Sequence, residues 1–458
     1  MLRLWTCALV AVGTAVASAD PAPFEPTTNT CGNDRVGAEA IACAKLYTDI
    51  YNKDPMGTHA DEALFNAGSA YMQAGATGGA ITMFNLLKKY FPNSRLTSAG
   101  LVRIGKIYGD IAFYDRAADM LEEYAKKYAS EKDAPLAMSD AILYRRGLGD
   151  YDKAIDDSNY FIRTWGTRLV AESASAYWGI VEIYESRGDR DAALKGARAY
   201  IAKFGKSGGD ARNVVVYERI GEWMAAKSCP VALTEGLCVK VERARATCGP
   251  AVVMTGVARD DHDWNEAMAA FVSARLEYDK WGGKMDDDEA SIAARAAVGR
   301  AIVVTQAPEI EKTALRPLAS ALPYEKRTAE YEERSKQGYA RLDRALAEAD
   351  ALRDPTAIVA ALRVRAQYME GYASSVERGL CAKTKDVTKE PTVEALHAAT
   401  AAAYERCAAT AVAQNYPDGS MTCIRGIERM TPELFVPFRE LVNREPKSGL
   451  PIALENLR

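Results

Sequence analysis

ADEALFNAGSAYMQAGATGGAITMFNLLKKYFPNS, residues 60–94, reads as two helices and a stop. Ala63, Ala67, Ala70 and Tyr71 fall on a common side of a first helix that ends near Gln73. Ala74-Gly75-Ala76 is a turn. Ala80 to Tyr90 forms the second helix, with Ile81, Phe84 and Leu87 as its apolar stripe. Pro92 stops it, because proline cannot continue a helix. The alanine that opens this second helix returns as Ala117, Ala154 and Ala193, at spacings of 37, 37 and 39 residues. Ala267 lies a further 74 residues on, two periods of 37. A small residue at this interval implies stacked helix pairs, each too thin to bury a core of its own.

At this interval the segment resembles a tetratricopeptide repeat. That family sets a small residue, a tyrosine three later, then Ala, Phe and Pro at fixed offsets. Here these are Gly68, Tyr71, Ala80, Phe84 and Pro92. The next repeat has Gly105, Tyr108, Ala117 and Leu121, with Ala129 in place of proline. The third keeps Ala154 but has Ile142 and Arg145 at the small and tyrosine positions. The fourth has Tyr184 and Ala193, with Val181 at the small position. The likeness covers residues 60–205 well and 206–285 weakly. Its first repeat is similar to bacterial envelope proteins of the outer-membrane-assembly and Tol-associated kinds. The resemblance implies an all-α fold, a helix-turn-helix solenoid over residues 38–285. Gly68, Tyr71, Ala80, Phe84, Gly105, Tyr108, Ala117, Ala154, Tyr184, Ala193 and Ala267 are then packing residues. After Met285 the helices lengthen, and residues 286–458 read as an irregular helical C-terminal region.

The first 19 residues read as a secretory signal peptide: Arg3, an apolar run from Leu4 to Val16, then Ala17-Ser18-Ala19. The run is shorter than the about 20 residues a membrane-spanning helix needs. Asp20 follows it, where a lipoprotein would carry cysteine. Residues 20–37 form a Pro/Thr-rich extended leader. The expectation is an exported protein, periplasmic or extracellular.

Cysteine usage agrees. Beyond Cys7 there are eight: Cys31, Cys43, Cys229, Cys238, Cys248, Cys381, Cys407 and Cys423. An even count in an oxidising compartment implies disulfides. Cys31 and Cys43 can pair locally. If they do and all eight pair, an odd number of bridges joins the middle group to the C-terminal group. The middle group marks a Cys-rich insertion near residues 229–250 that interrupts the repeats. No Cys-x-x-Cys spacing is present, so zinc is not expected, nor any other cofactor.

The chain has 58 basic and 62 acidic residues, a formal net charge of -4. Bulk charge therefore argues against a nucleic-acid partner. Asp260-Asp261-His262-Asp263 looks like a metal cluster, but the repeat interval makes it an inter-helix turn with Asp263 at a helix start. Gly205-Lys206-Ser207-Gly208-Gly209 has the letters of a nucleophile elbow, which needs a strand before the serine. A repeat helix precedes it instead. No catalytic residue is expected; the alternative is a helical enzyme whose carboxylates pair only in the fold.

In the family the first helix of each pair lines a groove. By position, Glu62, Phe65, Ser69 and Met72 face it from the first repeat, Lys106 from the second and Arg146 from the third. Trp178, Glu182 and Glu185 follow from the fourth. Such a groove suits an envelope protein or one of its peptide segments. Phe65 and Trp178 can instead fill the interior. A further alternative is a glycan- or cell-wall-binding protein with Trp178 as a stacking platform.

Overall fold

The structure, a computed structural model, describes residues 31, 35–207, 209–233, 236–243, 252–283, 286, 288–313, 324–380 and 390–431. The expected signal peptide, Cys248 and Cys381 lie outside the described residues. The chain divides into two compact units, one up to Ile183 and one from Tyr184.

The first unit is a succession of antiparallel helices. They are α1 (Gly37–Lys53), α2 (Ala60–Gln73), α3 (Thr77–Tyr90), α4 (Arg95–Asp110), α5 (Tyr114–Lys127), α6 (Ala134–Leu148), α7 (Tyr151–Trp165) and the start of α8 (Val170–Ser186). Each helix packs chiefly on its neighbours in sequence, as a repeat stack requires. Ala80, Ala117 and Ala154 each stand at the fourth position of their helix, fully buried. Gly68 lets Phe84 in: a Cβ there would lie 2.7 Å from the ring. Gly105 does the same for Leu121, at 2.8 Å. In the third hairpin the volumes are exchanged. Ile142 holds the glycine position, and Ser158, four residues past Ala154, is the small buried partner position.

The turns repeat as faithfully as the helices. Gly75, Ala112 and Gly149, each five residues before the marker alanine, take φ of 72°, 61° and 75°. Each closes a Schellman motif. The amide of the next residue bonds back to Tyr71, Tyr108 and Arg145 respectively, at 2.8–2.9 Å. The tyrosine position is thus the carbonyl that anchors the turn.

Successive hairpins are also joined by hydrogen bonds of one period. Lys127 Nζ donates to the Pro92 carbonyl at 3.3 Å, and Trp165 Nε1 to the Ala129 carbonyl at 3.0 Å. Pro92 and Ala129 occupy the same repeat position, so the missing proline leaves this link intact.

The second unit begins in the same style. α9 (Arg190–Phe204) follows a fourth Schellman turn at Gly188, with Ala193 again fourth and buried. It continues with α10 (Asp210–Lys227), α11 (Asp261–Lys280), α12 (Glu289–Val304) and α13 (Ala307–Thr313). Then come α14 (Tyr324–Ala351), α15 (Pro355–Leu380), α16 (Pro391–Ala413) and α17 (Pro417–Met430).

Three expectations change. Between α10 and α11 the insertion carries an antiparallel hairpin, β1 (Val239–Arg243) with β2 (Val252–Gly256), Val241 opposite Met254. Glu311 fixes it: its carboxylate accepts from the Cys238 amide at 2.6 Å and pairs with both Nε and Nη2 of buried Arg259. Second, α11 starts at Asp261 with Asp260 as its cap, so buried Ala267 is seventh in its helix. The Asp-His-Asp stretch is the first turn of α11, not an inter-helix loop. Third, the units do not part at residue 285. Ala294, Ala297 and Val298 of α12 share one core with Val214 of α10 and Ala274 of α11, which ties α12 to the repeat helices.

The end of the described chain returns to repeat geometry. α16 and α17 meet at Asn415, φ 53°, with the Tyr416 amide bonded to the Ala411 carbonyl at 2.8 Å. Disulfides join Cys31 to Cys43, Cys229 to Cys238 and Cys407 to Cys423, the last linking α16 to α17.

Candidate functional site

α2, α4, α6 and α8 present the positions expected to line a groove. On α2, Phe65 is buried; its ring meets Phe84 edge-on, and the Arg103 guanidinium sits 4.4 Å above it. Arg103 also donates to Ser69, whose hydroxyl in turn donates to the Phe65 carbonyl at 2.8 Å. Glu62 pairs locally with His59 at 3.1 Å, and Met72 is half-buried. Lys106 on α4 is exposed. Trp178 is only 8% exposed, so it is an interior group and offers no stacking platform. Arg146 on α6 donates to Glu182 on α8 at 2.7 Å and lies against Gly179, where a Cβ would come within 3.0 Å of it. In the second unit Glu185 accepts from Trp223 Nε1 at 3.4 Å and faces Arg219 at 3.7 Å.

The residues sequence reasoning passed over are Leu136 and Leu143. They stand 37 residues after Ala99 and Lys106, at the positions of Glu62 and Ser69, and are 46% and 62% exposed. The same interval that selects Lys106 selects them. Between them Asp140 is half-buried, and among the described residues it has no ion-pair or hydrogen-bond partner. Burial alone raises its carboxyl above the usual range. On one side of this face stands the Arg146–Glu182 pair. On the other, Tyr144 stacks on Tyr114 with ring centres 5.2 Å apart.

Behind the face lies a charge cluster. Arg145, buried at the third tyrosine position, reaches Asp157 at 2.8 Å, Asp119 at 3.1 Å and Asp150 at 3.4 Å, and also Glu122. Lys126 contacts Glu122 and Asp157 from the same helix as Glu122. Burial and the Glu122 charge raise the Asp157 carboxyl against the pull of Arg145 and Lys126. Burial opposes the Glu122 charge too, but the bond from Lys126 and the Arg145 charge outweigh it and hold that carboxyl low.

Residues 62–94 match the tetratricopeptide repeat family. No curated protein matches the chain. Solved structures similar to it include the MamA protein, at 17% identity over 52% of this chain and 93% of that one, TM-score 0.28. BtubC from P. vanneervenii is similar at 13% identity, over 55% and 93%, TM-score 0.28. A Rap protein complexed with competence and sporulation factor is similar at 10%, over 86% and 94%, TM-score 0.30. The tetratricopeptide match spans α2, the Gly75 turn and α3, and stops at Ser94. In that repeat Gly68, Ala80 and Phe84 are accounted for by packing, and Tyr71 packs against the same core.

No group of three or more metal-type ligands occurs among the described residues. Asp260 caps α11 by accepting from the Asp263 amide, and His262 is largely exposed. Ser207 follows helix α9, not a strand. No described helix is long and apolar enough to cross a membrane.

Proposed function

We propose that the protein is an exported scaffold of the periplasm or cell envelope, without catalytic activity, that holds a segment of a partner protein on the α2, α4, α6 and α8 face. The observation that carries this is the exposure of Leu136 and Leu143 at groove positions. Two exposed leucines on one groove face offer a partner segment an apolar seat. The tetratricopeptide repeat at residues 62–94 supports a protein-binding role. The Ala17-Ser18-Ala19 sequence and the three disulfides support export. Burial of Trp178 weakens the glycan alternative.

A photo-crosslinking amino acid at position 143 tests the reading in native envelopes. Position 156, exposed on α7, serves as the control. A discrete protein adduct at 143 and none at 156 is expected. Cell-wall fragments in place of protein, or equal labelling at both positions, would sink it.

A further inference from the structure

The face of α6 has an internal contradiction of charge and apolarity. At about 100° per residue, Asp140 lies on the same arc as Leu136 and Leu143, not on the far side of the helix. Any segment that covers the two leucines also covers Asp140. An apolar segment would bury a carboxylate with no cation to offset its desolvation. An acidic segment would add repulsion. A cation removes both penalties, and the methylene stem of Lys or Arg lies well on leucine. The flanks offer no internal cation: Arg146 is engaged by Glu182, and Tyr144 carries no positive charge.

We infer that this face takes a partner segment with one Lys or Arg between apolar side chains, the cation against Asp140 and the apolar groups on Leu136 and Leu143. This rests on the groove reading above.

Panning a random-peptide phage library on the full chain tests it, with enriched sequences remade as synthetic peptides. Enriched peptides should carry a Lys or Arg flanked by apolar residues. Their affinity should fall roughly tenfold or more with Asp140→Asn and be lost with Leu143→Glu. Asp140→Lys should instead select peptides with an acid at that place. Thermal melts confirm that each variant folds. Peptides that need Leu143 but lack a cation, or bind Asp140→Asn as well as the native chain, overturn the inference and leave the groove standing. No enrichment, or peptides indifferent to Leu143→Glu, overturns both.

Discussion

Ala112 holds a backbone shape that its three counterparts leave to glycine. Gly75, Gly149 and Gly188 take the left-handed φ freely, whereas alanine at 61° crowds its own Cβ. Ala112→Gly should therefore stabilise the chain by about 0.5–1 kcal/mol, after the entropy glycine adds to the unfolded state. Denaturant midpoints measure it; a loss of stability would show that the turn is not strained. Asp140 makes a second prediction at this scale. An acid whose folded pKa is raised gives stability below its unfolded pKa and loses it as pH rises through the folded value. At neutral pH the native chain carries that penalty, so Asp140→Asn should raise the melting temperature there. The gain should shrink as pH falls through the carboxylate range. The same substitution that stabilises the chain is expected to weaken peptide binding.

Among the elements, α10 and α12 are held by a buried pair. Glu218, with no exposed surface, takes Arg300 Nε at 2.7 Å and Nη2 at 2.8 Å. Glu222 and Arg219 stand beside it on α10, Glu185 pairs with Arg219, and Asp354 acts on Arg300. Burial, with the Glu222 charge, pushes the Glu218 carboxyl up to about 7 from 4.5. Its contribution is thus complete below about 4.5 and lost as pH rises through about 7. Melting followed across this window should show that decline, and Glu218→Gln should flatten it. An unchanged slope would mean another group titrates. The α16–α17 hairpin is closed instead by Cys407–Cys423, which span 16 residues. Replacing both by alanine should cost about 3 kcal/mol, read as a lower denaturant midpoint.

How far sequence carried depends on the span of the contact. Gly68 with Phe84 and the marker alanines were legible, because helix packing repeats at a fixed short interval. Phe65 reads as a groove residue until Arg103, one repeat on, covers its ring. Leu136 and Leu143 stand at positions the interval names, but their exposure is set by the packing of α6 in the fold. Ala112 concealed one of the turns by not being glycine. Arg300 with Glu218 and Arg259 with Glu311 join residues 82 and 52 apart with no periodic rule behind them. The β1–β2 hairpin depends on the second of these pairs, and so was not legible either.

For the whole molecule the cysteines give the broadest test. Six of the eight after Cys7 are bridged in three pairs, all short in sequence. Mass tagging of the processed, unreduced protein should find no more than two reactive thiols. Finding more would remove the argument for an oxidising compartment.

The bonds from Lys127 to Pro92 and from Trp165 to Ala129 bear on how such a chain can be edited. Each uses a backbone carbonyl, which any residue at that position supplies, so the accepting side of the link puts no demand on sequence. The third hairpin makes a stronger demand. Arg145 finds Asp119 and Glu122 only on the hairpin before its own, so a transplanted copy would bury an arginine with part of its charge unmatched. That hairpin is therefore tied by charge to its place in the order.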